Sequence, residues 1–418
     1  MTRDYENDRR IVLTLDAGGT SFRFGATRGG KPCVNTVTMP ARTEELHACL
    51  RDICNGFIRV RGLCPEPPVA ASFAFPGPAD YPNGIISNVG NLPCFGGGVP
   101  LGAILEEALG VPVFINNDGD LFTCGEAIGG FLPYVNGLLE KAGSPKRFNN
   151  LLGFTIGTGF GGGLVRNGEL FLGDNSMAAE VWLLRNKLAP SMNVEESVSI
   201  RAVRRVYAGL AGIASGAAPD PRDIEAIARG DAPGNRDAAI EAYRRMGEAA
   251  GDAIANALAV ADSLVVIGGG LSAGAPLFLP ALVGELNGAY TLPDGKKIRR
   301  LVQKAFEIES AGGLEAFINS GDIRTARTVT YDASARIAVG ISRLGTSAAI
   351  ALGAYVFALR KLDAGAVSIR QQPAQPAQFT QPAQPAQPAQ PAQAAQLAKL
   401  AQPAQPAQFA QPAQPAQP

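Results

Sequence analysis

Five short apolar runs punctuate the chain, and each ends in glycines or a polar turn. Ile11 to Leu15 runs into Asp16-Ala17-Gly18-Gly19-Thr20, and Val69 to Phe75 into Pro76-Gly77-Pro78. Val111 to Ile115 runs into Asn116-Asn117-Asp118, Leu151 to Ile156 into Gly157-Thr158-Gly159, and Leu264 to Ile267 into Gly268-Gly269-Gly270. Their length and β-branched or aromatic content predict strands. Strands that release polar loops at their C-terminal ends are how α/β sheets build ligand sites. Helical spacing fills the gaps. Leu101, Ile104, Leu105, Ala108 and Leu109 make one apolar stripe that stops at Gly110, and Asp237 to Ala261 and Ser347 to Leu362 predict two longer helices. Ile337 to Leu359 is the nearest approach to a membrane span. It carries Arg343 and three glycines, falls short of the ~18 uncharged residues a span needs, and reads as buried helix.

The first and fourth runs share their surroundings. After Asp16 to Thr20 the chain continues Ser21-Phe22-Arg23-Phe24-Gly25-Ala26 and turns at Gly29-Gly30. After Gly157 to Gly159 it continues Gly161-Gly162-Gly163-Leu164-Val165 and turns at Asn167-Gly168. Asn-Gly between apolar strands is a strong hairpin signal. Each half therefore begins strand, glycine loop, hairpin, which predicts a duplicated α/β architecture of two similar lobes facing a cleft.

Composition narrows the partners. From Gln371 the sequence is almost wholly Pro, Ala and Gln, with Lys399 its one charge; such a tail can form neither helix nor core and is expected to be disordered. The preceding 370 residues carry 36 basic and 37 acidic side chains. That balance argues against nucleic acid as the partner. No signal sequence is evident, and the six cysteines form no C-x-x-C pair, so a reduced cytoplasmic compartment, without membrane association, is the default expectation. His47 is the single histidine and no G-x-S-x-G accompanies it, which disfavours a serine triad.

Gly157-Thr158-Gly159-Phe160-Gly161-Gly162 fits G-x-G-x-x-G, but a dinucleotide site needs a helix where this chain predicts a hairpin. What remains is a glycine turn whose backbone N–H groups can wrap phosphate oxygens. Asp16 and Gly18, Gly19 and Thr20 offer the same backbone plus a carboxylate and a hydroxyl. Two facing glycine hairpins suit a polyphosphate, with Asp16 holding Mg²⁺ directly or through water. Asp118, at a strand end, is placed to accept a proton from a substrate hydroxyl attacking a phosphoryl group, and the Asn117 amide to hydrogen-bond sugar hydroxyls. The bland alternative for Asp118 is a helix N-cap.

In order along residues 10 to 362, D-x-G-G-T, P-G-P, N-D after G-V-P-V, G-T-G-x-G-G-G and G-G-G-L-S together resemble the ROK family of repressors, open reading frames and sugar kinases. The resemblance implies an α/β, two-lobed, actin-like (ribonuclease-H-like) fold. Its small lobe would be residues 1–118, completed by a helix at about 344–362, and its large lobe 119–343, with the 371–418 repeat tail beyond. It implies ATP- and Mg²⁺-dependent phosphorylation of a hexose at the 6-hydroxyl, glucose first. N-acetylglucosamine, N-acetylmannosamine, fructose or mannose would be alternative substrates, and a sugar-sensing regulator the alternative role. Carried over, Asp118 is the base; Gly77, Asn91, Asn117 and Glu180 bind sugar, together with Glu195 or its neighbour Glu196. Asp16, Gly18 to Thr20 and Gly157 to Gly159 serve phosphate, and Gly268, Gly269 and Gly270 lie by the adenosine. Dimers are common among similar proteins, so a homodimer is compatible.

The chain departs from the pattern at Leu183, where many such kinases have a histidine followed by a zinc-binding cysteine cluster. No cysteine follows Cys124, so no zinc site is expected, and packing around Trp182 is the expected substitute. Only Met1 to Arg9 precede the first predicted strand, too few for the helix-turn-helix of a repressor.

Overall fold

The computed structural model describes residues 5–17, 21–77, 79–87 and 92–365. The Pro/Ala/Gln tail, Gly18 to Thr20 and Asn91 lie outside the described residues.

The first sheet comprises β1 (Val12–Ala17), β2 (Ser21–Arg28), β3 (Lys31–Pro32), β4 (Val37–Pro40), β5 (Ala70–Ala74) and β6 (Val113–Asn116), with helices α1 (Leu46–Leu63) and α2 (Leu101–Leu109) in its connections. Next come α3 (Asp118–Gly129) and α4 (Phe131–Lys141), then the hairpin strands β7 (Leu151–Ile156), β8 (Phe160–Arg166) and β9 (Glu169–Leu170). Helices α5 (Ile200–Ala211), α6 (Pro221–Arg229) and α7 (Arg236–Ala261) lead to β10 (Leu264–Gly268) and α8 (Ala275–Leu286). The hairpin β11 (Ala289–Thr291)–β12 (Lys297–Arg299) precedes β13 (Lys304–Glu307) and α9 (Ala311–Asn319). A second hairpin, β14 (Ile323–Ala326)–β15 (Val329–Asp332), precedes β16 (Arg336–Ile341) and α10 (Thr346–Asp363).

The two large sheets share a five-strand order, to which the first adds β4 beside β2 and the second β13 beside β16. The first runs β3-β2-β1-β5-β6 and the second β9-β8-β7-β10-β16-β13. In each, a leading strand pairs antiparallel with its hairpin partner and parallel with a later strand: Asp16 opposite Arg23 and Val12 beside Ala70 in one, Thr155 opposite Gly161 and Leu151 beside Leu264 in the other. The duplication expected from the two glycine hairpins is thus present in the strand order.

One expectation is corrected. The apolar stretch from Ile337 is not helical throughout: its first part is β16, parallel to both β10 and β13. A short buried run rich in β-branched residues has no polar alternation by which to tell strand from helix, and the vacant edge of β10 decides it. Gly345, at φ 80°, ends the loop that follows and starts α10.

Burial explains the layers. One face of the first sheet packs on α1 and α2 through Leu13, Leu15, Phe22, Phe57 and Phe73; the other meets α10 through Val12, Ala70, Leu352 and Tyr355. One face of the second sheet covers α5 to α8, and the opposite face covers α3, α4 and α9. Helices α3 and α10 therefore lie back to back between the sheets. They touch at glycines: a Cβ at Gly353 would lie 1.9 Å from the Leu121 carbonyl oxygen, and one at Gly125 would lie 2.0 Å from that of Ala349. Buried Glu126 ties the C-terminal half of α3 to the approach to α10, accepting from the backbone N–H groups of Phe131 at 2.7 Å and Leu344 at 3.1 Å.

Candidate active site

Parallel pairing brings the C-terminal ends of β1, β5 and β6 to one edge, and with them Asp16, Gly77 and Asn117-Asp118. In the second sheet the same geometry gathers the loops after β7 and β10. Asp16 and Asp118 line one pocket of 320 Å³ between the first sheet and α10, whose wall also includes Thr14, Ser72 and Ser347.

Asn117 is the N-cap of α3, and its Oδ1 accepts from the Gly119 N–H at 2.8 Å. Asp118 follows as the first helical residue, and its Oδ1 shares that N–H at 2.9 Å. The cap role thus belongs chiefly to Asn117, leaving Asp118 a second carboxylate oxygen for other work. The first turn of α3 sits directly on β8, since a Cβ at Gly119 would fall 2.4 Å from the Gly162 carbonyl oxygen. A Cβ on Gly161 would come within 3.9 Å of Asp118 Oδ1. The carboxylate from the first sheet and the glycine run of the second are therefore neighbours.

Asp118 is open to water by surface area, yet protein surrounds it on most sides, as at the floor of a cleft. That desolvation raises its carboxyl pKa, while the N–H groups of Gly119 and of its own backbone pull the other way. Water access limits the rise. Tyr81 closes the floor: its hydroxyl donates to the Phe75 carbonyl at 2.9 Å and accepts from Asn117 Nδ2 at 3.4 Å. Gly77 makes room for it, since a Cβ there would lie 2.2 Å from the Tyr81 oxygen. Burial pushes the Tyr81 phenol above its ordinary range.

Glu180 precedes a short helical turn, Val181–Leu183, and its Oε2 accepts the indole N–H of Trp182. Trp182 itself packs against the large core. The neighbouring Ala179 has φ 59°, a left-handed conformation costly for a residue with a Cβ. Its carbonyl oxygen lies 2.9 Å from where a Cβ on Gly162 would be, so the Glu180 loop is pressed against the glycine run. Leu183 is 59% exposed.

The two adjacent glutamates separate in space. Glu195 Oε2 accepts the Phe160 N–H at 2.9 Å and would sit 2.5 Å from a Cβ on Gly159. Glu196 turns outward to Arg201 and Arg205. Of the pair, Glu195 is the one against the glycine turn. Arg201 braces the same turn, donating to the Thr158 carbonyl at 3.0 Å and to Glu195 Oε1 at 2.8 Å. The Gly157 carbonyl accepts from Ile200 at the start of α5 at 2.8 Å. Gly269, at φ 91°, donates to Thr346 Oγ1 at 2.8 Å, and a Cβ there would strike Ile156 at 2.3 Å. The Gly157 and Gly268 loops thus lie side by side.

Sequence reading overlooked Tyr81, Asp120, Arg201 and Thr346. Asp120 had a signal, a second carboxylate on the first turn of α3; the others are joined to the site only by long-range contact.

The ROK family profile matches residues 12–312. The chain belongs to the ROK family. A Vibrio cholerae N-acetyl-D-glucosamine kinase is 32% identical over 171 residues, 41% of this chain and about half, 51%, of that relative. A Thermotoga maritima glucokinase is 27% identical over 287 residues, 64% of this chain and 85% of that one. The crystal structure of a glucokinase from Parabacteroides distasonis superposes with a TM-score of 0.77 at 49% identity, over 86% of this chain and 99% of that chain. The two-sheet architecture of this ROK chain is the actin-like fold of that family. No helix among the described residues is long and apolar enough to cross a membrane.

Proposed function

We propose that this chain is a sugar kinase that transfers the γ-phosphoryl group of ATP to the 6-hydroxyl of a hexose, with glucose the preferred substrate. The observation that carries the reading is the seating of Gly119 on Gly162, which sets Asp118 beside the glycine run that follows the Gly157 to Gly159 turn; in this reading one helix turn holds the general base near the phosphate cradle. The family and its kinase-named relatives support the class of reaction.

Sugar hydroxyls would meet Asn117, Glu180 and Asn91, with Gly77 lining the same site and Glu195 at the glycine turn. As the sugar O6 attacks the γ-phosphorus, its proton passes to the free oxygen of Asp118. The O6–P bond forms as the bond from phosphorus to the β–γ bridging oxygen breaks, ADP leaves with that electron pair, and Asp118 then returns its proton to water. The Gly157 N–H closes the turn on the Gly159 carbonyl at 2.9 Å, so the N–H groups of Thr158 and Gly159, with Gly18 to Thr20, would cradle phosphate oxygens, and Gly268 to Gly270 would lie by the nucleoside. Asp16, exposed on the pocket wall shared with Asp118, suits Mg²⁺, which takes one or two carboxylates and fills its shell with water and phosphate. Bound there, the ion would neutralise charge on the phosphates. Residues 1–118 with α10 form one lobe in this reading and 119–343 the other.

The test is ADP release across a panel of hexoses and N-acetylhexosamines. ADP should appear only with sugar and Mg²⁺, with the highest kcat/KM for glucose. N-acetylglucosamine at the head of the panel would move the substrate to that of the Vibrio relative. ADP formed equally without sugar, or with no sugar at all effective, would refute the kinase reading.

A further inference from the structure

Two positions past Asp118, on the same turn of α3, stands a carboxylate that the transfer chemistry leaves unused. Asp120 is 4% exposed, and among the described residues its Oδ1 meets no hydrogen-bond donor. The backbone holds it in place: Gly119 rests on Gly162, and a Cβ at Gly163 would fall 2.9 Å from the Asp120 Cα. The ionisable groups around it are Asp118 from its own helix, Glu180 from the loop over β8, Tyr81 from the loop after β5, and the Cys124 thiol one turn on, which also senses Arg360 of α10. Burial first, then the charges of Glu180 and Asp118, hold the Asp120 carboxyl well above the usual carboxylate range.

The three acids are not equivalently served. Asp118 has open water and the Gly119 N–H; Glu180 has the Trp182 indole N–H. The Oδ1 of Asp120 has neither. Where coupled carboxyls share a site, the proton settles on the one whose charge is least solvated. We propose that Asp120 carries a proton at neutral pH and acts as a positioning residue, a neutral acid that adds no negative charge beside the base Asp118. Its loss of that proton in alkali would set a further negative charge beside the base and the entering phosphates. The catalytic consequence rests on the kinase reading; the protonation does not.

The full chain, labelled with ¹³C at its aspartate carboxyls, is titrated by NMR. One aspartate carbon should remain protonated at neutral pH, persist in Asp118→Asn, and vanish in Asp120→Asn. Every aspartate ionised at neutral pH, or a late-titrating signal lost in Asp118→Asn, would overturn the proposal. Should Asp120→Asn not fold, the parent and Asp118→Asn spectra still decide. Thermal unfolding gives a second reading. A carboxyl whose folded pKa is raised contributes most stability below its unfolded pKa of about 4, and stability falls as pH climbs toward the folded value. The Tm of Asp120→Asn relative to the parent should therefore rise with pH over that window; a constant difference counts against the proposal. In turnover, the ratio of variant to parent kcat/KM should grow roughly tenfold toward alkaline pH, one pKa unit's worth of interaction. A merely structural Asp120 would leave that ratio flat. A protonated Asp120 in a chain that phosphorylates no sugar would remove the kinase reading alone; turnover with an ionised Asp120 would remove this inference alone.

Discussion

Replacing Asp118 by Asn is the sharpest probe of the site, because the geometry gives rate and stability different answers. The amide keeps size and polarity but cannot accept the hydroxyl proton. General-base catalysis contributes ~10²–10⁴-fold, so kcat should fall at least roughly 100-fold, about 2.7 kcal/mol of transition-state stabilisation. Stability should hardly move. The cap hydrogen bond of α3 stays with Asn117 at 2.8 Å. Removing a negative charge at a helix N-terminus costs about 0.3–1 kcal/mol, and relief of the desolvation of the Asp118 carboxylate offsets part of it. The net change should stay within about 1 kcal/mol. The control is Asn117→Ala, which removes the cap and should cost ~1 kcal/mol. Steady-state ADP release, sugar binding by Trp182 fluorescence and urea unfolding measure the three quantities. An Asp118→Asn protein within threefold of the parent kcat would refute the assignment. So would a stability loss above about 2 kcal/mol with turnover retained, the upper range for a lost cap.

Trp182→Phe keeps an aromatic ring against the core but removes the N–H that Glu180 accepts; KM for sugar should rise several-fold with kcat little changed, and an unaltered KM would detach Glu180 from sugar binding. Gly353→Ala forces a Cβ to within 1.9 Å of the Leu121 carbonyl oxygen and should cost about 1–3 kcal/mol in urea unfolding by parting α3 from α10; a neutral effect would mean that this helix contact yields freely. Arg336 and Asp332 form a buried pair at 2.8 Å. Burial opposes the Asp332 charge, but Arg336 and the backbone and hydroxyl donors around it prevail, and its pKa is depressed. Its contribution is therefore present above an unfolded pKa of about 4 and lost as pH falls toward the folded value. Arg336→Ala should cost about 3–5 kcal/mol at neutral pH, by chemical denaturation, with the deficit narrowing in acid. A deficit independent of pH would show that the ion pair is not its source.

Much of the architecture was written in local sequence. Strand β7 occupies the residues its apolar run marks, Leu151 to Ile156, and α7 and α10 begin and end within a residue of their apolar patterns. The two glycine-hairpin openings disclosed the repeated sheet because hairpin chemistry lies in adjacent residues. Asp16 and Asn117-Asp118 could be placed at strand ends for the same reason. Whatever depended on the partner across space was not legible. Two glutamates in succession look alike until the fold turns Glu195 to the Phe160 N–H and Glu196 to Arg205. Residues 336–341 could serve as helix or strand until β10 and β13 offered two edges to pair with. Gly125 and Gly353 lie more than 200 positions apart, and nothing local says that each spares room for the other's helix. Asp120 reads in sequence as an ordinary acid on a first helical turn, where a carboxylate is welcome. Only the descent of that turn onto the glycines of β8 takes it out of water, because desolvation belongs to the assembled surroundings and not to the residue.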